Sequence, residues 1–430
     1  MTAAATPPAP SRPRPLPTQH TPAVPPPFFL PAGHFAVALG WLVLGAIGLV
    51  TVAPDLARGN FLDPHVFAVV HTFTLGVIVT VIFGVMHQFL PMALGISTRS
   101  IRAGYLGLAS LTLGTAALVT GFWASTAVFE GVGWTLVFVA IGLHTWNLPT
   151  RRAHRPETRA IRGHLAAAHT SLGLALALAG ARIGENLGWW SVDRMGIIAA
   201  HFHLAALGFA TLTAVGVGSR MVPMFLVSHG TPQWPMRYIA PLGLAGLVAF
   251  SVGEVWHFPA LSVAGAALMA AAAALYLHLS LGHFRRRLRR ALDPAVAHMA
   301  TGFGALALAT GLGVLLVALP SAHPRLWIAY ALLAVLGWLV TLILGVLYKI
   351  LSHLGWIHFY GARTGTQAIT VAQMLSPAWA WTSLACLSVG LLALVTSILA
   401  GSPAAATAGA ALWAIGAVLV PAHYIRMFTR

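Results

Sequence analysis

The chain is poor in charge. Only 7% of its 430 residues are Asp, Glu, Lys or Arg, whereas a soluble domain carries roughly 25%. A water-soluble globular fold is excluded, because there is too little polar surface to wet it on all sides. Acidic residues are scarcest, 8 against 24 basic ones, for a net charge of +16. That excess does not point to nucleic acid, since the basic residues sit in short loops between apolar runs and form no stripe interleaved with aromatics. The single cysteine, Cys386, lies inside an apolar run. It excludes an intramolecular disulfide, a thiolate zinc site and an iron–sulfur cluster, and reads as a small core residue. No secretory apolar segment precedes the first long run, so no cleaved signal peptide is expected.

What is present is lipid-soluble. The sequence is 58% hydrophobic, in runs of about 20 residues or more rather than alternating ten-residue strands, which selects membrane-spanning helices over a barrel. Residues 1–27, rich in Pro, Ala and Thr and carrying Arg12 and Arg14, read as a disordered cytoplasmic tail. Residues 28–430 form a single membrane domain. Its apolar runs fall near 28–53, 64–90, 101–125, 126–149, 163–183, 195–227, 238–257, 259–283, 294–319, 325–352, 373–400 and 402–426. Every second loop is basic: Arg99 and Arg102; Arg151, Arg152, Arg155, Arg159 and Arg162; Arg237; Arg285, Arg286, Arg287, Arg289 and Arg290; Arg363. The opposite loops hold Asp55, Asp63, Glu130, Glu185 and Asp193. This asymmetry predicts both termini and the basic loops on the cytoplasmic side of a bacterial-type inner membrane.

The chain also repeats itself. In the second run, His71 is followed by Gly76, Gly84 and Pro91, at offsets of five, thirteen and twenty. The sixth run gives His203, Gly208, Gly216 and Pro223 at the same offsets. The tenth keeps Gly337 and Gly345 but has Leu332 and Ser352 at the ends of the series. Three residues before the proline position stand Gln88, Arg220 and Lys349. The first helix of each unit carries a histidine near its inner end, taken as His34, His169 and His298. The expectation is an all-α fold of about twelve transmembrane helices, in a pseudo-threefold ring of three four-helix units, about 28–149, 163–283 and 294–426.

Twenty histidines in so apolar a chain are the strongest chemical signal, because a polar ring in a membrane span is costly without a partner. His71, His201 and His203 are expected in the outer half of the bilayer. An imidazole there either bonds a neighbouring helix or ligates a metal. A porphyrin iron suits the setting: the macrocycle is flat and apolar, axial histidines hold it, and glycine faces let it approach. His201 and His203 differ by about 200° around a regular helix, so they serve two separate inter-helix spaces. His65, beside Asp63, reads as a helix-start cap or as a secondary metal contact. Met221, Met224 and His229 offer soft copper(I) ligands or ordinary packing. His34, His87, His169, His298 and His353 read as interhelical bonding groups or as a proton or ion path. Lys349 and Arg220 are expected to snorkel to the inner interface, and Arg182 to pair with Glu185.

These motifs resemble those of a known family. His201-Phe202-His203-Leu204-Ala205-Ala206-Leu207-Gly208, continuing through Gly216 to Val222-Pro223, looks like the late histidine helix of the main subunit of cytochrome cbb-type heme–copper oxidases. His71-Thr72 through Gly84 to Phe89-Leu90-Pro91 resembles the second helix of the related nitric oxide reductases. The resemblance implies twelve spans and cytoplasmic termini, with His71 and His203 on a low-spin heme and His201 on a reactive one. Pairing of His71 with His201 across the gap is the other arrangement left open. The family's His-x-His lies on its tenth helix, but here it lies on the sixth, and the seventh run offers only Glu254 and His257 in place of the histidines of the family's copper site. A second resemblance, through Arg220-Met221-Val222-Pro223-Met224-Phe225, is to the NnrS family of heme- and copper-containing membrane proteins linked to nitric oxide tolerance. Together these imply one or two b-type hemes with copper as an optional second metal. They also imply electron transfer or nitric oxide or oxygen binding or reduction, with cytochrome c or a quinol as donor. The competing expectations are a polytopic transporter or channel for a metal or small solute, and a noncatalytic respiratory-complex subunit.

Overall fold

The computed structural model describes residues 26–94, 97–148, 156–319, 322–361 and 370–428. The expected tail up to residue 25 and the loop arginines Arg151, Arg152, Arg155 and Arg363 lie outside these. Among the described residues twelve helices are long and apolar enough to cross a membrane: α1 Phe29–Arg58, α2 Pro64–Pro91, α3 Ile101–Trp123, α4 Ala127–Asn147, α5 Thr158–Asn186, α6 Arg194–Leu226, α7 Met236–Val255, α8 Pro259–Arg285, α9 Pro294–Ala318, α10 Pro324–Tyr360, α11 Pro377–Ala400 and α12 Pro403–Phe428. The fold is all-α and membrane-spanning, as the composition requires.

Local chemistry sets the helix ends. Proline opens α2, α8, α9, α10 and α11, where its missing N–H is not needed. Asp63, Asp193 and Asp293 accept N–H bonds from the first turns of α2, α6 and α9. Gly59 and Gly401 close α1 and α11 in the left-handed conformation, at φ 84 and 70. Between α3 and α4, Asn147 accepts the Ser100 N–H at 2.8 Å and donates to the Ser100 carbonyl at 2.9 Å.

Three helices form the interior. The most apolar stretches of α2, α6 and α10 are 72%, 56% and 78% buried, against at most 39% in any other span. Each of the three carries an eight-residue π-helical segment: Thr72–Val79, Leu204–Thr211 and Leu333–Val340. These segments occupy the same register, from the residue after His71, His203 or Leu332 to the eighth residue beyond it. A threonine near the end of each bonds a carbonyl five residues back: Thr80 to Leu75 at 2.9 Å, Thr211 to Ala206 at 2.9 Å and Thr341 to Leu336 at 2.8 Å. The three segments touch one another. Trp338 of α10 donates to Thr211 of α6 at 3.0 Å, between two of them.

The repeat is visible in the packing as well. A Cβ at Gly76, Gly208 or Gly337 would meet Trp41, Ser171 or Ala305, respectively, at 2.8 Å or less. A Cβ at Gly84, Gly216 or Gly345 would fall within 2.9 Å of the Cβ of His34, His164 or His298. So the second helix of each unit presses both glycines onto the first, seven residues apart. This corrects one sequence expectation: the histidine equivalent to His34 and His298 is His164, not His169. All three equivalents bond the carbonyl four residues back, Leu30, Ala160 and Pro294, at 2.7–2.9 Å.

Candidate functional site

The π segments of α2, α6 and α10 line a cavity of about 960 Å³. Its floor is apolar, with Ile78, Ile141, Leu172 and Phe209. Its mouth is polar and lies at the ends of α2, α4, α5, α6 and α7, where Glu130, Arg182, Asn186, Asp193, Arg194 and Glu254 are found. Arg182 bonds Glu185 as expected, Arg194 stands 3.9 Å from the same carboxylate, and Asn186 donates to Glu130 at 2.7 Å. His257 lies 3.7 Å from Asp193.

His71 and His201 face each other across this cavity. Their ring centres are 6.2 Å apart and their planes differ by 28°. His71 Nδ1 donates to the Phe67 carbonyl at 2.8 Å, and His201 Nδ1 donates to the Ala175 carbonyl of α5 at 2.9 Å. In each ring the proton is fixed on Nδ1, which leaves Nε2 as the free base, the usual arrangement behind a ligating imidazole. Phe122 packs against the His71 ring at 5.0 Å.

His203 is placed differently. Its Nδ1 donates to Ala199 at 2.8 Å, and its Nε2 accepts from the Tyr330 hydroxyl of α10 at 3.1 Å. Phe250 of α7 packs on it with ring centres 4.4 Å apart. Both nitrogens are engaged, so the structure pairs His71 with His201 and sets His203 apart in the wall. His71 therefore has the His201 ring, 6.2 Å away, as its histidine neighbour across the cavity.

The remaining expectations resolve individually. His65 sits in the first turn of α2, its backbone N–H capped by Asp63 and its ring bonding the same carboxylate at 2.8 Å, with Trp123 edge-on at 4.6 Å. Met221 is buried at 5% exposure while Met224 is 61% exposed. Lys349 does not simply snorkel; it bonds Asp293 at 2.5 Å. No three His, Cys, Asp or Glu side chains among the described residues converge to hold a metal ion. Sequence reasoning missed His144, which is buried near the end of α4 among other histidines. A histidine in an apolar run was the available signal.

No protein-family model matches the chain, and no curated protein matches it.

Proposed function

We propose that the chain is a heme-binding membrane protein that holds a b-type heme between His71 and His201. The observation that carries this reading is the opposed pair itself. Two imidazoles on one metal, each with a metal–nitrogen bond of about 2 Å, place their ring centres about 6 Å apart, and here they stand at 6.2 Å. The donor set fits: both rings are held in the tautomer that presents Nε2, and the cavity between them is large and mainly apolar. Its volume lies at the upper end of the range for small-molecule pockets, about 300–1,000 Å³.

When bound there, with both axial positions taken by histidine, a heme would supply one-electron chemistry. The protein's own contributions are separable. Phe67 and Ala175 fix the ligand tautomers, the apolar floor excludes water, and Arg182 and Arg194 at the mouth offer positive charge to the acid groups of a porphyrin. The reading places the chain as a divergent member of the heme–copper oxidase superfamily without its full metal set. Its units would stand as a pseudo-threefold ring around the π segments, with both termini on the cytoplasmic side of a bacterial inner membrane.

The test is optical. Protein purified from heme-replete cells should show a Soret band, and its low-spin character should be lost in His71→Ala and in His201→Ala. A wild-type protein without Soret absorbance, or spectra unchanged in both variants, would overturn the assignment. Solute uptake by heme-free protein in vesicles would favour the transporter reading instead.

A further inference from the structure

The wall below the cavity holds a second group of histidines that the heme reading does not use. His34 of α1, His87 of α2, His144 of α4 and His169 of α5 follow one another with ring centres 5.3, 5.5 and 5.8 Å apart. They form a file rather than a cage. His34 and His169 donate from Nδ1 to their own helices, at Leu30 and Leu165. His144 is 4% exposed, and neither of its ring nitrogens has a hydrogen-bond partner; the Nε2 of His169 is buried and unpartnered as well. Leaving a polar ring unpaired in a membrane interior costs free energy. Such a group needs a reason to be there.

The spacing suggests one. Two imidazoles joined by a single N–H···N bond of about 3 Å have ring centres a little over 5 Å apart. The observed steps are within a small ring rotation of that contact. Phe83 lies flat on His144, with centres 3.5 Å apart and planes 5° apart. The His144 plane so fixed stands 84° from that of His87 and 12° from that of His169.

The file also leads somewhere. His34 lies five residues from the start of α1 and His87 four residues before the end of α2, so one end is close to the membrane face where α1 begins. His169 lies deeper, against Phe209 of the cavity floor at 5.7 Å. Leu172 and Ile141, one turn beyond His169 and His144, line the same floor. The mouth of the cavity is at the opposite face. The file is peculiar to the first unit and its junction with the second: the position of His87 is Ser219 in the second unit and Tyr348 in the third.

We propose that His34, His87, His144 and His169 form a proton-conducting file linking the membrane face at which α1 begins to the floor of the cavity. His144 takes a proton from His87 at one nitrogen, and a swing of the side chain carries that same proton to the free Nε2 of His169, which passes it to water in the heme-free cavity; each ring returns to its starting tautomer. No redox partner is needed, and the file does not depend on the heme reading.

The test uses the full chain, purified heme-free, in vesicles containing a trapped pH-sensitive dye, with a potassium diffusion potential set by valinomycin. Proton influx should exceed that of protein-free vesicles several-fold. It should fall to the protein-free level in His144→Phe, which keeps a flat ring against Phe83, and in His87→Phe. His353→Phe, at an exposed position, should conduct like the wild type. Wild-type influx equal to that of empty vesicles would overturn the proposal, as would undiminished influx in either file variant that elutes as a single folded species. A Soret band without flux, or flux without a Soret band, tells the two proposals apart.

Discussion

The Tyr330 hydroxyl donates to Nε2 of His203 across the contact between α10 and α6. This one bond divides the duties of a His-x-His pair. Both rings line the cavity, but His201 keeps Nε2 free whereas both nitrogens of His203 are bonded. Tyr330 stands two residues before Leu332, the place in the third unit where the others carry histidine.

The division predicts opposite phenotypes two residues apart. His201→Ala should lose the low-spin heme spectrum, whereas His203→Ala should keep it at reduced stability. Tyr330→Phe leaves a buried acceptor unpaired and should cost about 1–3 kcal/mol, read as a lower thermal midpoint in detergent with the Soret band retained. Loss of the spectrum in His203→Ala alone would mean that the ligand pairing is misassigned.

The glycines of the repeat carry a graded prediction. A Cβ at Gly345 would sit 2.6 Å from the Ala295 carbonyl oxygen and 2.9 Å from the His298 Cβ, whereas a Cβ at Gly142 meets nothing within 4 Å. Gly345→Ala should therefore destabilise by about 1–3 kcal/mol through overpacking. Gly142→Ala should be neutral or slightly stabilising, since alanine favours the helix by about 1 kcal/mol. Thermal unfolding of the two variants side by side checks the order.

Lys349 and Asp293 tie the C-terminal half of α10 to the start of α9, and Asp293 also caps α9 through the Val296 N–H at 3.1 Å. The two roles separate by substitution. Asp293→Asn keeps a capping oxygen and loses the ion pair, while Asp293→Ala loses both. The difference between them should be about 0.5–2 kcal/mol, the value of an N-cap. In a Lys349→Met background the cost of Asp293→Asn should shrink, and a double-mutant cycle measures by how much.

Much of the fold could be read from the sequence because lipid leaves few choices. Apolar run length and loop charge located all twelve helices, with ends mostly within a few residues of those observed. The main departure is α10, expected to end near 352 but continuing to Tyr360. α2 ends at Pro91 and α6 three residues after Pro223; Ser352 holds that place in α10 and imposes no stop. The π segments were not legible, since nothing in residue type distinguishes a five-residue back-bond from a four-residue one. His164 and His169 are both plausible partners for a glycine by spacing, and only the seating of Gly216 on His164 decides between them. His71 and His201 were legible as ligand candidates. Their pairing was not, because it depends on which way each ring turns once the helix has left α geometry.

Extra turns of π-helix are costly to acquire separately at one register in three places. Three segments begin and end at matching positions, and the third does so without any histidine beside it. The histidines, by contrast, differ from copy to copy: one at His71, two at His201 and His203, none at Leu332. The widened turn is thus a property of the backbone in all three units, and the imidazoles are free to vary on top of it.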